Sequence, residues 1–280
     1  MSEPMTPAWH AQHTPDAPAI IVGPQTVSYA ELDDRSARLA RALRSRGLAE
    51  GDHIAILMEN NAAFLEAAWA AQRSGLRYTP INTHLRPAEV QYVLDDCGAV
   101  ALVTSQRMAG LAAGLNLSRV PVRLSVAGEV AGFERYEEVL AGPLGPAADD
   151  REGREMLYSS GTTGRPKGVR KQLPGTAFGD PSAVPVQVAQ GIAAQGFGPG
   201  SVYLSPAPLY HSAPLVYSMT MHRVGATVVV MERFDPRQCL ELIERHRVTH
   251  AQFVPTMFVR MLRLPAAERE RYDTSSLQVV

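Results

Sequence analysis

The chain has 280 residues, 45% of them hydrophobic, with 27 Lys plus Arg against 28 Asp plus Glu and a formal net charge of -1. That size and apolar content support a large core in about one large or two smaller domains. The charge balance excludes a general attraction to nucleic acid or to an anionic membrane, so any site for a polyanion must be built locally. Cys97 and Cys239 fall in helix-like segments without metal-ligand spacing, and they read as reduced, buried thiols of a reducing compartment. Residues Met1 to Pro18 are polar and proline-punctuated, and the most apolar helix candidate, Ala62 to Ala71, is short and carries Glu66. Neither a leader nor a transmembrane segment is expected, and the default location is the cytoplasm. No basic amphipathic helix argues for peripheral membrane contact, which is left open.

In chain order, Ala19-Ile20-Ile21-Val22 and Thr26-Val27 predict a hairpin around Gly23-Pro24. Ser28 and Glu31 form a capping box for a helix that buries Leu32, Leu39 and Leu43 and ends near Gly47. Asp33, Asp34, Arg35 and Arg38 read as its solvated face. The continuous apolar run Ile54 to Leu57 predicts a strand buried on both sides of a parallel sheet. A helix from about Asn61 to Ser74 follows, then a strand (Tyr78 to Ile81), a helix (Arg86 to Asp96) and a strand (Val100 to Thr104). Val120 to Val126, Phe133 to Leu140 and Met156 to Ser159 continue the pattern, with Asp149 to Glu152 read as a solvated turn. Later strands are expected at Val202 to Ser205, Ala226 to Met231 and His250 to Val254. The helices among them are placed at Val184 to Gln195, Ser212 to Val224, Pro236 to Arg247 and Thr256 to Leu264. Short connections between alternating strands and helices give an α/β fold: layered, parallel-type sheets flanked by helices. The expected division is a first subdomain over 1–172 and a second over 173–280.

The segment Leu157-Tyr158-Ser159-Ser160-Gly161-Thr162-Thr163-Gly164-Arg165-Pro166-Lys167-Gly168-Val169 is too polar and too rich in glycine to be core. Glycine lets backbone N–H groups approach an anion, the four hydroxyls add donors, and Lys167 adds a mobile positive charge. The Walker A spacing fails, because Arg165 and Pro166 separate Gly164 from Lys167. Pro166 favours strand–loop–strand over a loop that feeds a helix. A flexible linker would need neither Lys167 nor the strand-forming flanks. A second candidate is Pro208-Leu209-Tyr210-His211, where a strand ends in a corner at the carboxyl edge of a sheet. From its residues alone, His211 is equally a helix-capping, buried or functional histidine.

Tyr158 to Val169 resembles the signature loop of the adenylate-forming superfamily of acyl- and aryl-CoA synthetases, peptide-synthetase adenylation domains and luciferases. The resemblance implies the fold of the N-terminal domain of an acyl-CoA synthetase and an acid–thiol ligase that uses ATP, Mg²⁺ and CoA. A carboxylic acid, with a fatty acid preferred, would become acyl-AMP and then a thioester. Ser159, Ser160, Gly161, Thr162, Thr163, Gly164 and Lys167 would hold the nucleotide phosphates, and Ser159 would approach the metal. Lys167 and His211 would be the catalytic pair. Tyr210, His211, Val216 and Met219 would position the acid, with Thr256 and Met257 as further pocket candidates. The helix carrying Val216 and Met219 reads equally as ordinary core.

The resemblance departs from the family after Val169, where Arg170-Lys171-Gln172 stands in place of a Ser/Thr-His pair, and this leaves the subclass open. Likeness through Tyr78 to Cys97 favours a fatty acyl-CoA synthetase over a peptide-synthetase domain. Because the family's adenine, ribose and hinge segments and its C-terminal domain would lie beyond Val280, the chain is expected to be an incomplete fragment, inactive alone. The alternatives are a non-catalytic nucleotide- or acyl-binding fragment and an aryl-acid–CoA ligase or adenylation domain. Partners are small molecules, without nucleic acid.

Overall fold

A computed structural model describes residues 5–145, 149–159 and 165–280. The first element, α1 (Pro7–His13), starts at Thr6, whose side chain accepts a hydrogen bond from Trp9 N, with Pro7 in the first turn. It was not among the expected elements. β1 (Pro18–Val22) and β2 (Gln25–Ser28) form the expected antiparallel hairpin. α2 (Tyr29–Ser45) opens with a reciprocal capping box: Glu31 Oε2 accepts from Ser28 N at 2.7 Å, and Ser28 Oγ accepts from Glu31 N at 3.2 Å. Next come β3 (His53–Leu57), α3 (Ala62–Gln72), β4 (Arg77–Pro80), α4 (Pro87–Cys97), β5 (Ala99–Ser105) and α5 (Ala109–Ala112). β6 (Val122–Val126), β7 (Glu134–Arg135), α6 (Tyr136–Ala141), β8 (Arg154–Ser159) and β9 (Lys167–Arg170) follow. The remainder is α7 (Val186–Gln195), β10 (Val202–Ser205), α8 (Ser212–Arg223), β11 (Thr227–Val230), α9 (Pro236–His246), β12 (His250–Ala251), α10 (Pro255–Leu262) and α11 (Ala266–Arg269). β12 is shorter than expected from His250 to Val254, because Pro255 starts α10 and Val254 takes its N-cap position.

The chain is α/β, with two sheets flanked by helices, and packs as two units. One unit comprises residues 33–59 and 63–183 and holds the sheet β7-β6-β5-β3-β4-β8-β9, parallel except for the β8/β9 edge pair. β3 is buried along its whole length: Ala55 and Leu57 pack with Val90, Val93 and Leu94 of α4, while Ile54 and Ile56 face the other side. The other unit comprises residues 1–32, 60–62 and 184–280, with the sheet β12-β10-β11-β1-β2. There Leu204, Val229 and Met231 pack on Cys239, Leu242 and Ile243 of α9. This division differs from the expected boundary after Gln172, because β1 pairs in parallel with β11 and draws the first residues of the chain into the later unit.

Two expected solvated stretches carry buried polar networks instead. Glu66 on α3 is fully buried; its carboxylate accepts from Arg35 Nε at 2.7 Å and Tyr136 Oη at 2.8 Å. Asp33 and Asp150 both pair with Arg73, and Asp150 also holds Arg44. Glu152, 1% exposed, accepts from Gln72 Nε2 and Gly179 N. The physical reason is the same in each case: Arg35, Arg44 and Arg73 bring counter-charge to carboxylates, or amide donors surround them, where the elements pack. Among the described residues, no helix is long and apolar enough to cross a membrane. Both cysteines are buried, and burial pushes each thiol up to about 12, as expected for inert core residues.

Candidate functional site

The Ser/Thr/Gly segment is flanked by the antiparallel pair β8/β9, consistent with the strand–loop–strand form that Pro166 favours. Met156 pairs with Arg170, Leu157 with Val169, Tyr158 with Gly168 and Ser159 with Lys167, the last pair among the described residues. Ser160, Gly161, Thr162, Thr163 and Gly164 lie outside the described residues. Ser159 and Lys167 are exposed, and Lys167 has no ion-pair partner among the described residues.

The base of the hairpin is anchored to α4. Tyr158 Oη donates to Asp96 Oδ2 at 2.5 Å, Tyr92 Oη donates to Pro166 O at 3.2 Å, and the Arg165 guanidinium lies 5.3 Å above the Tyr92 ring. Burial and the acceptor Asp96 raise the Tyr158 pKa, so the phenol keeps its proton and donates. Gly168 is favoured by close packing: a Cβ there would stand 2.2 Å from Met156 Cε and 2.9 Å from Tyr158 Cζ, so both side chains would have to shift.

The second candidate lies in the other unit, where β10 turns into α8. Leu209 is fully buried, and the corner around it is fixed by Asn60, itself 5% exposed. Asn60 Oδ1 accepts from Leu209 N at 2.7 Å, and its Nδ2 donates to Ala207 O at 3.0 Å and to Met231 O at 2.8 Å. One side chain thus ties the corner to the end of β11. Asn60 was missed by sequence reasoning. The signal available was a polar run, Glu59-Asn60-Asn61, directly after the buried strand β3.

With the corner held this way, His211 occupies the N-cap position of α8 and makes no side-chain capping bond, which removes the helix-capping reading. It is exposed, and its ring centroid lies 4.6 Å from that of half-buried Tyr210. Partial desolvation lowers the His211 pKa, which keeps the imidazole neutral. On α8, Val216 is half-buried and Met219 buried. Thr256 and Met257 stand on α10, the first exposed and the second buried. The structure therefore brings together Ser159 with Lys167 and Tyr210 with His211.

Two clefts lie elsewhere. One of about 880 Å³ is lined by Arg46, Phe133, Glu134 and Glu138, and one of about 380 Å³ by Gln187, Gln190, Phe197 and Tyr217. Tyr217, on α8 between Val216 and Met219, lines the smaller cleft, whereas Val216, Met219, Tyr210, His211, Thr256, Met257, Ser159 and Lys167 line neither. Among the described residues, no group of three or more His, Cys, Asp and Glu could hold a metal ion.

The described fold is an α/β domain with parallel sheets flanked by helices. The sequence profile of the family described as AMP-binding enzyme matches residues 7–280, and the chain belongs to that family. It is 35% identical over 257 residues to a feruloyl-CoA synthase of Amycolatopsis sp, covering 90% of this chain and 48% of that protein. It is 28% identical over 274 residues to the fatty acid–[acyl-carrier-protein] ligase ScoC of Streptomyces coeruleorubidus, covering 96% and 51%. Among solved structures it is similar to the O-succinylbenzoate coenzyme A synthetase (MenE) of Bacillus subtilis in complex with ATP and magnesium ion. That match has a TM-score of 0.76 and 25% identity, over 99% of this chain and 54% of that one. The chain spans about half the length of the curated relatives it matches.

Proposed function

We propose that this protein activates a carboxylic acid with ATP and transfers the acyl group to CoA. The acid's carboxylate oxygen attacks the α-phosphorus, the bond from that phosphorus to the bridging oxygen breaks, and pyrophosphate leaves with the electron pair. The CoA thiol, losing its proton, then attacks the acyl carbonyl and AMP departs. Neither step needs a protein nucleophile; both need positioning and neutralisation of charge on the leaving group.

The observation that carries the reading is the hairpin end. Exposed Lys167, without an ion-pair partner among the described residues, stands across from Ser159 at the end of strands anchored to α4, with the Ser/Thr/Gly segment between them in sequence. In this reading Lys167, with Ser160, Gly161, Thr162, Thr163 and Gly164, holds the departing pyrophosphate, and Ser159 approaches the Mg²⁺ that enters with ATP. Tyr210 and His211 position the acid, and neutral His211 takes no charge into an anionic site. In this reading Val216, Met219 and Met257 supply apolar wall, and Thr256 is a further pocket residue. An apolar acid is the substrate class. The relatives' names divide between feruloyl and fatty-acid ligases, so chain type is read by experiment.

The test is acyl-AMP and acyl-CoA formation by the intact gene product, with a panel of aryl acids and fatty acids of graded length. ATP- and acid-dependent thioester formation is expected. Nucleotide binding with no acyl-AMP from any acid would replace this reading with that of a non-catalytic binding protein.

A further inference from the structure

The hairpin that carries Lys167 at one end carries a second concentration of positive charge at the other. Arg170 ends β9, Arg77 opens β4, and His53 opens β3, in register with Arg77. Arg77 Nη1 donates to Lys171 O at 2.6 Å, and Arg170 Nη2 donates to Cys97 O at 3.4 Å. Both guanidiniums thus rest on backbone carbonyls, and neither pairs with a carboxylate among the described residues. The neighbouring acids are committed elsewhere. Asp52 accepts from Ala49 N at 2.8 Å, Glu155 holds Lys171, and Asp96 takes the Tyr158 hydroxyl.

His53 is the cross-strand neighbour of Arg77 and feels the charge of both arginines. Its Nε2 meets Thr79 Oγ1 at 2.7 Å, and its Nδ1 is buried with no partner. Burial first, then Arg170 and Arg77, hold its pKa down at about 4, and burial and Arg170 lower that of Arg77. Two neighbouring cations without counter-charge repel, and their forked N–H donors match phosphate oxygens, with a dianion balancing both charges.

We propose that Arg77 and Arg170 form a binding site for a phosphate-class dianion at the end of the seven-stranded sheet where its parallel strands begin. The site lies at the opposite end of β9 from Lys167 and does not depend on the reading of the hairpin loop. Its ligand is either inorganic phosphate or a phosphomonoester on a nucleoside, and the two share the chemistry that the arginines recognise.

The test titrates the protein with inorganic phosphate and with adenosine 3′,5′-bisphosphate, against chloride at matched ionic strength. It follows the thermal midpoint and the His53 imidazole resonance. A saturable shift of His53 and a rise of several degrees in midpoint are expected in wild type, and the His53 shift equally in Lys167→Ala. Arg77→Gln and Arg170→Gln should each lose the His53 response. Exposed Arg170 can change without disturbing the fold, and Arg170→Gln should also raise the midpoint in phosphate-free buffer by relieving repulsion. A larger response to the bisphosphate identifies a nucleoside phosphate as the ligand, and equal responses identify free phosphate. An unmoved His53 in wild type, a response that survives in both arginine variants, or one abolished by Lys167→Ala overturns the proposal.

Discussion

Replacing Asn60 with alanine should unpin the corner that carries Tyr210 and His211. The side chain makes three hydrogen bonds, to Leu209 N, Ala207 O and Met231 O, at 2.7, 3.0 and 2.8 Å, in a place shielded from water. Each such bond is worth about 1 kcal/mol net, and the buried N–H of Leu209 left without an acceptor adds its own desolvation penalty, so a loss of about 3 kcal/mol is expected. Asn60→Asp keeps the acceptor for Leu209 N but replaces both donors with a carboxylate facing two carbonyls. It should be at least as damaging at neutral pH and milder in acid, where the protonated carboxyl regains one donor. Urea unfolding gives the stability difference from the shift in midpoint at constant slope. An Asn60→Ala protein within about 0.5 kcal/mol of wild type would refute the reasoning, since surface substitutions with no structural role fall in that range.

Acid should destabilise the protein through His53 and His222, both buried neutral with pKa values lowered from 6.5 to about 4. The unfolded chain takes up these protons first. Stability is therefore complete above about pH 6.5 and falls as pH drops toward 4, by at most about 3 kcal/mol per histidine, and His222→Phe should flatten the profile. Arg35→Ala should strand the Glu66 carboxylate beside Tyr136 alone and cost about 3 kcal/mol, and adding Glu66→Gln should recover part of the loss in denaturant unfolding. Gly168→Ala should force Met156 and Tyr158 aside, cost about 1–3 kcal/mol and slow acyl-AMP formation, with partial rescue by Met156→Ala. Unchanged unfolding and rate in Gly168→Ala would show that the hairpin tolerates the added methyl.

Local signals carried most of the fold. The Ser28/Glu31 capping box, the apolar run Ile54 to Leu57 and the Asp235 cap, which accepts from Arg237 N and Gln238 N at 3.0 Å, need only neighbouring residues to be read. Even α1 was signalled by Thr6-Pro7, but its seven residues are too few to show a convincing apolar period. What stayed hidden depends on distant partners. Asn60 meets groups 147 to 171 positions away, and Glu66 meets Tyr136. Nothing in the spacing of Asp33, Arg73 and Asp150 indicates that packing joins them. The hairpin form of the loop was legible because Pro166 acts locally, whereas the preference for Gly168 arises only from the cross-strand neighbours Met156 and Tyr158.

The claim on which the rest depends is that the hairpin ending in Ser159 and Lys167 grips the triphosphate. The direct measurement is acid-dependent pyrophosphate release from ATP by the intact gene product and by its Lys167→Ala variant, with both shown to be folded by their unfolding midpoints. Loss of a charged contact made to the leaving group should lower the rate by about 100-fold or more. A variant that releases pyrophosphate at the wild-type rate would contradict the account.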